Sequence, residues 1–231
     1  MMQNEHIEEI RTDFFSKYPQ FELKDFLGEG RHGFAFAISE NKALKFTGDD
    51  REIEVCRCLE GHKFTYLCNI EKVGDKVELN VSWNNRSKEY TWIVLERLKQ
   101  LDQKWIHQTL RNFRHAWSSL FPEDQNLSRF NLTDIWTIYS NDDKSKIDRC
   151  KELIKDYIKN INSIEEPSEE ILDDQIKERI YHVYRFFDFI ENAYRELFKV
   201  CSFGEIDLND GNFMLDKNNN LKVIDLQKVN L

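Results

Sequence analysis

Apolar positions recur at two periods along this chain, and the change of period marks its organisation. Over residues 3–17, Ile7, Ile10, Phe14 and Phe15 fall at helical spacing among acidic and polar neighbours. This predicts an amphipathic helix ended near Pro19. Residues 21–47 change character, with short apolar runs broken by "GEGRHG" and "SENK", which predicts three strands joined by two turns. The next stretch, "DDREIEVCRCLEG", has an acidic start, a glycine stop, and Ile53, Cys56 and Leu59 along one face. It reads as a helix with clear end signals. Two further strands are expected around 76–83 and 90–97, joined by the polar turn "NNRSKE".

Beyond Leu101 the pattern turns helical for about a hundred residues, over segments 102–121, 143–163 and 168–200. The aromatics of the last segment, among them Phe186, Phe189, Tyr194 and Phe198, read as core rather than as a ligand box. "EEPSEE" at 165–170 separates the last two helices, and Pro167-Ser168 suits a helix start. Two short strands at 212–215 and 221–225 close the pattern. The expected class is α+β, divided into an N-terminal helix at 1–20, a small antiparallel sheet with one helix at 21–100, and a mostly helical lobe at 101–231.

Composition narrows the function classes. The chain has 231 residues, 40% hydrophobic and 13% aromatic, which is enough for a real core and excludes a disordered chain. Lys plus Arg is 33 against 42 for Asp plus Glu, a formal charge of −9. That balance disfavours non-specific nucleic-acid or anionic-membrane partners. No apolar run approaches the roughly 20 residues that span a bilayer, and "MMQNEHIEEI" lacks the form of a secretory signal, so a cytoplasmic location is expected. Cys56, Cys58, Cys68, Cys150 and Cys201 are odd in number and scattered, which suits free thiols better than a disulfide framework or a zinc site. Nothing in the sequence forces a dimer.

The candidate chemistry lies at both ends of the chain. "LGEGRHGFAFA" places Gly28, Gly30 and Gly33 in a G-x-G-x-x-G pattern. A dinucleotide fold would need these glycines to open a helix after a strand, yet an apolar stretch of strand character follows at once. A glycine hairpin between strands is instead a flap whose amides can lie over phosphates. Lys45, in "KALKF", sits twelve residues past Gly33 on the third expected strand. Seven residues further, Glu52 stands on a helix able to pack beside that strand, where it would hold the ammonium towards phosphate. Glu54 is the alternative partner but points to another helix face. Near the other end, "EIDLNDGNFMLDKNNNLKVIDL" spaces Asp207 and Asn212 five apart, and Asn212 and Asp225 thirteen apart. A carboxylate, an amide and a second carboxylate are groups that phosphoryl transfer requires. A calcium-loop reading fails by counting. Registers begun at Asp207 or Asp216 put Asn212 or Leu221 where glycine is obligatory, and neither ends in glutamate.

"GEGRHGFAFA", "ALKF", "REIEVCRCL", "ERL", "DLNDGNFML" and "VIDL" occur in the order and spacing of the protein kinase-like superfamily, which this sequence resembles over roughly residues 22–100 and 200–227. "DLNDGNFML" is similar to the catalytic loops of small bacterial effector kinases, and to those of aminoglycoside and choline phosphotransferases. The resemblance implies a minimal two-lobed kinase-like fold that uses ATP and Mg²⁺. It implies that Gly28, Gly30 and Gly33 cover the triphosphate, that Lys45 binds phosphate, and that Glu52 orients Lys45. Residues near Glu96–Leu98 would meet adenine through backbone groups. Asp207 would accept the proton of the attacking hydroxyl, while Asn212 and Asp225 hold magnesium.

Departures from that pattern shape the expected function. Glu205-Ile206 stands where His-Arg is common, and Leu226-Gln227 follows the metal aspartate in place of Phe-Gly. No activation segment follows Asp225, so a lobe truncated by that measure, either constitutively poised or switched by an activating protein partner, is expected. The resemblance to effector kinases favours a protein Ser/Thr acceptor. The alternatives are a small-molecule phosphotransferase, for which the character of residues 102–163 would discriminate, and a kinase-like nucleotide-binding module without turnover. His32, within the flap, and the pair Arg111 and Arg114 read as solvated side chains, and His107, His115 and His182 as structural ones.

Overall fold

The computed structural model describes residues 4–81, 86–101, 185–186, 188–207 and 209–228, together with residue 148. The helix expected at 102–121, that at 143–163 apart from residue 148, and the beginning of that at 168–200 lie outside the described residues. In chain order the described elements are α1 (Asn4–Lys17), β1 (Phe26–Glu29), β2 (Gly33–Ala37), β3 (Lys42–Thr47), α2 (Asp50–Leu59), β4 (Ile70–Val81), β5 (Arg86–Glu96) and β6 (Lys99–Gln100). α3 (residues 188–198), β7 (Gly204–Ile206), a 3₁₀ turn (Asp210–Asn212), β8 (Phe213–Leu215), β9 (Leu221–Val223) and β10 (Leu226–Lys228) follow. The fold is a mixed α+β one with an antiparallel sheet. It divides into two compact units, residues 1–99 with 214–231, and residues 100–213.

The first unit is built on a five-stranded antiparallel sheet of order β1-β2-β3-β5-β4. Strand alternation sorts β3 onto two faces. Leu44 and Phe46 join Ile7, Ile10 and Phe14 of α1 in one core, with the Phe14 and Phe46 rings edge to face at 4.9 Å. Lys45, between them in sequence, is turned to the opposite face, where α2 buries Ile53, Val55, Cys56 and Leu59. Each fully buried aliphatic or aromatic side chain contributes about 1.5–3 kcal/mol, so α1 is an integral cover of the sheet.

Two sequence expectations shift. The first strand begins at Phe26 rather than near Phe21, because Phe21 packs on Trp92 at 5.2 Å between ring centroids and leaves the ladder to start later. The β4–β5 ribbon is longer than expected. Residues 86–89, read as turn, pair with Glu78–Val81, since main-chain hydrogen bonds hold a ladder whatever the polarity of its side chains. Strand β4 bulges near Gly74, where a Cβ would stand 1.9 Å from the Trp92 ring, so the indole lies directly on the backbone.

In the second unit, α3 buries Phe189, Ile190, Ala193, Tyr194 and Leu197. Phe213 packs among Phe186 and Phe189, with ring centroids at 5.2 and 6.1 Å. Among the described residues no helix is long and apolar enough to cross a membrane.

Candidate active site

The glycines of the flap have different reasons to be glycine. Gly28 sits at a bulge with φ 154°, a conformation that side chains rarely adopt. Gly33 pairs with Thr47, and a Cβ there would lie 1.8 Å from the Phe46 carbonyl oxygen. Gly30 faces open space, its amide donating to the Gly33 carbonyl at 2.8 Å to close the hairpin around Arg31 and His32. Packing and backbone geometry thus account for Gly28 and Gly33 and leave Gly30 unexplained by the fold.

Strand β3 and helix α2 bring Lys45 and Glu52 together. The ammonium donates to Glu52 Oε1 at 2.6 Å and also bonds Asp225 Oδ1. Burial by itself would lower the Lys45 pKa, but attraction to Glu52 and then Asp225 outweighs it and holds the group above the ordinary lysine value. Burial raises the Glu52 pKa against the pull of Lys45. Asp49 caps α2 by accepting from the Arg51 amide at 3.0 Å. Glu54, the alternative partner, instead meets Lys228 at 2.7 Å on an exposed face. The two acidic residues therefore serve separate strands, because positions two apart on a helix diverge by half a turn or more.

Asp225 takes φ 56°, a left-handed conformation that aspartate tolerates better than most residues. It stays there because both sides are held: Leu226 is buried behind it, and the Lys45 ammonium holds its carboxylate.

In the second unit, Asn212 is buried at the end of the 3₁₀ turn. Its Nδ2 donates to the Asp207 carbonyl at 3.2 Å and to Asp207 Oδ2 at 3.0 Å, which orients the carboxylate. The amide oxygen is the end suited to a hard cation. The preceding strand is tied to α3 by a bond from the Ile206 amide to the Tyr194 hydroxyl at 3.4 Å. Ile206 is fully buried, so the position where arginine is common carries a core side chain here.

The expected adenine contacts are less uniform. The Glu96 amide donates to the Asn69 carbonyl at 3.0 Å and the Arg97 amide to the Asn41 carbonyl at 2.9 Å. Leu98 is the position of the three whose amide enters no such bond among the described residues. The Glu96 side chain, to which sequence reasoning gave no role, binds Lys222 at 3.0 Å and the Asn69 amide at 3.2 Å. Lys222 was missed altogether: a lysine in "NNNLKVIDL" has no signal for burial beyond the apolar residues around it. Among the described residues no group of three or more His, Cys, Asp or Glu is arranged for a metal. Cys56, Cys58, Cys68 and Cys201 are free, and burial pushes the Cys56 and Cys68 thiols up into their inert, protonated form.

No family model matches this sequence, and no curated protein does. Among solved structures, the chain is similar at low identity to aminoglycoside phosphotransferases. One is a variant of aminoglycoside 2'-phosphotransferase-IIIa in its GDP complex, with 13% identity and a TM-score of 0.36, over 98% of this chain and 74% of that one. Another is APH(2")-IIa in a ternary complex with streptomycin and ATP, with 15% identity and a TM-score of 0.31, over 99% and 72%. A third is a GDP and kanamycin complex of APH(2")-IIia, with 13% identity and a TM-score of 0.32, over 93% and 70%.

Proposed function

We propose that this protein is a Mg²⁺-dependent phosphotransferase that moves the γ-phosphoryl group of ATP to a hydroxyl acceptor, within a minimal kinase-like fold. The observation that supports this most is the Lys45 ammonium shared by Glu52 and Asp225, three groups 180 residues apart in sequence at their extremes. A surface lysine needs no such partners. A lysine that must present a fixed charge to phosphate does.

Each residue then has a role. Lys45 binds the α- and β-phosphates, and Glu52 keeps it aimed. Gly28, Gly30 and Gly33 form the flap over the triphosphate, and the Leu98 amide, beyond Glu96, is the donor to the base. Asp207, its carboxylate oriented by Asn212, takes the proton of the acceptor hydroxyl. Asp225 and the Asn212 amide oxygen would hold magnesium, which would neutralise phosphate charge. Lys45 supplies positive charge that holds Asp225 in place.

Two acceptor classes follow. Two of the solved structures named above contain streptomycin or kanamycin, so a polycationic amino alcohol is the first acceptor to offer, and a protein serine or threonine the second. Residues 102–163, expected to select the acceptor, lie outside the described residues. A cytoplasmic setting accords with the free thiols, and an activating protein partner remains part of the proposal.

The test is transfer of label from γ-labelled ATP, with Mg²⁺, to an aminoglycoside panel and to a Ser/Thr peptide library. Asp207→Ala and Asp225→Ala serve as controls. Transfer in the native protein, lost in both variants, supports the reading and identifies the acceptor class. Nucleotide binding without turnover on any acceptor would replace it with a binding module.

A further inference from the structure

Lys222, on β9, is a buried cation with 4% of its surface exposed. All three protons of its ammonium have acceptors: the Phe64 carbonyl at 2.9 Å, the Leu67 carbonyl at 3.1 Å and Glu96 Oε2 at 3.0 Å. The same carboxylate oxygen also accepts from the Asn69 main-chain and side-chain amides, and Asn69 Oδ1 accepts from the Phe64 amide at 2.7 Å. Lys222, Glu96 Oε2 and the Asn69 side chain thus form one connected network. An apolar side chain of similar volume would fill this site at lower desolvation cost. What the charged network adds is a single geometry.

That geometry falls on one short segment. The amide of Val223, next to Lys222, donates to the Tyr66 carbonyl at 2.9 Å, and its carbonyl accepts from the Cys68 amide at 2.9 Å. Two residues later Asp225 enters the left-handed conformation that turns its carboxylate to Lys45. Glu96 ends β5, opposite Lys42 of β3, in the sheet that carries Lys45. Lys222 thereby joins the strand leading into Asp225 to the end of β5, beside the strand that carries its counter-ion.

We propose that Lys222 and Glu96 are positioning residues, which set the Asp225 carboxylate for a magnesium–nucleotide complex by locking β9 to the end of β5. This inference rests on the phosphotransferase reading. Residues that orient a metal ligand typically change metal affinity about 10–100-fold when replaced. A change of an ångström in the carboxylate is enough to matter for the positioned phosphate.

The test titrates Mn²⁺ into the full chain with a non-hydrolysable ATP analogue, read by electron paramagnetic resonance, beside urea denaturation of the nucleotide-free protein. Lys222→Met should weaken Mn²⁺ binding about 10–100-fold and lower stability, since it leaves the half-buried Glu96 carboxylate without its cation. Lys222→Met with Glu96→Gln should recover most of the stability while Mn²⁺ binding stays weak. Glu96→Gln alone, isosteric and still able to accept hydrogen bonds, gives the same reading if Lys222→Met does not fold. Native Mn²⁺ affinity in Glu96→Gln or Lys222→Met, or joint recovery of stability and affinity in the double variant, overturns the inference and leaves the phosphotransferase reading standing. Absence of Mn²⁺–nucleotide binding in the native protein overturns both.

Discussion

The Lys45 ammonium bonds Glu52 Oε1 at 2.6 Å and Asp225 Oδ1 at the same time, so one cation on β3 ties helix α2 to the segment that follows β9. Within this unit the ion pair cannot be changed at one member without disturbing the other two. The attraction also sets the protonation order: Lys45 stays charged, and burial bears on Glu52 instead.

Replacing Lys45 by methionine should cost about 3 kcal/mol of stability in urea denaturation, because it leaves two carboxylates without their shared cation. Phosphoryl transfer should fall about 100-fold or more, as when a group that stabilises transition-state charge is removed. The pH sign follows from a folded pKa above the ordinary 10.5. The contribution of Lys45 is complete below that value and is lost as pH rises through the higher folded pKa. Stability from this group should therefore be flat between pH 7 and 9, and an alkaline loss present in the native protein should shrink in Lys45→Met.

Asp207→Ala and Asp225→Ala should separate rate from binding. The first should lower kcat about 100-fold or more, with little change in Mg²⁺–nucleotide affinity, since a general base acts on the transferred proton. The second should weaken Mg²⁺-dependent nucleotide binding, measured by calorimetry with and without chelator. Metal-dependent affinity unchanged in Asp225→Ala would remove that residue from the metal site.

The flap glycines offer a direct contrast. Gly33→Ala places a methyl group against the Phe46 carbonyl and should destabilise by about 1–3 kcal/mol. Gly30→Ala meets nothing and should leave stability unchanged to within about 0.5 kcal/mol, while raising the KM for ATP. Equal stability losses in the two variants would contradict the packing difference between the sites.

Asp49→Ala removes the cap of α2 and should cost about 1 kcal/mol. Burial by itself would raise the Asp49 pKa, but the bonds from Arg51 outweigh it and hold the carboxyl below its ordinary 3.8. Its contribution is therefore present above that value and is lost as pH falls through the lower folded pKa. Acid titration of thermal stability should show that loss in the native protein and a smaller one in Asp49→Asn, whose uncharged side chain also caps.

The amino-acid sequence by itself determined the local elements and the chemical inventory. The 3.6-residue pattern of Ile7, Ile10 and Phe14 defines α1, the acidic start and glycine stop define α2, and alternation about Leu44 and Phe46 places Lys45 on the opposite face from the α1 core. These are readable because side-chain direction follows from backbone period alone. Tertiary structure decided which charges meet. That Lys45 takes Glu52 and Asp225, that Glu54 goes to Lys228, and that Lys222 is buried on Glu96 depend on approaches between segments 126 to 180 residues apart, apart from the local Lys45–Glu52 step. No period or spacing encodes such approaches, because burial of a charge is set by what packs over it, and its cost is met only by partners the fold delivers.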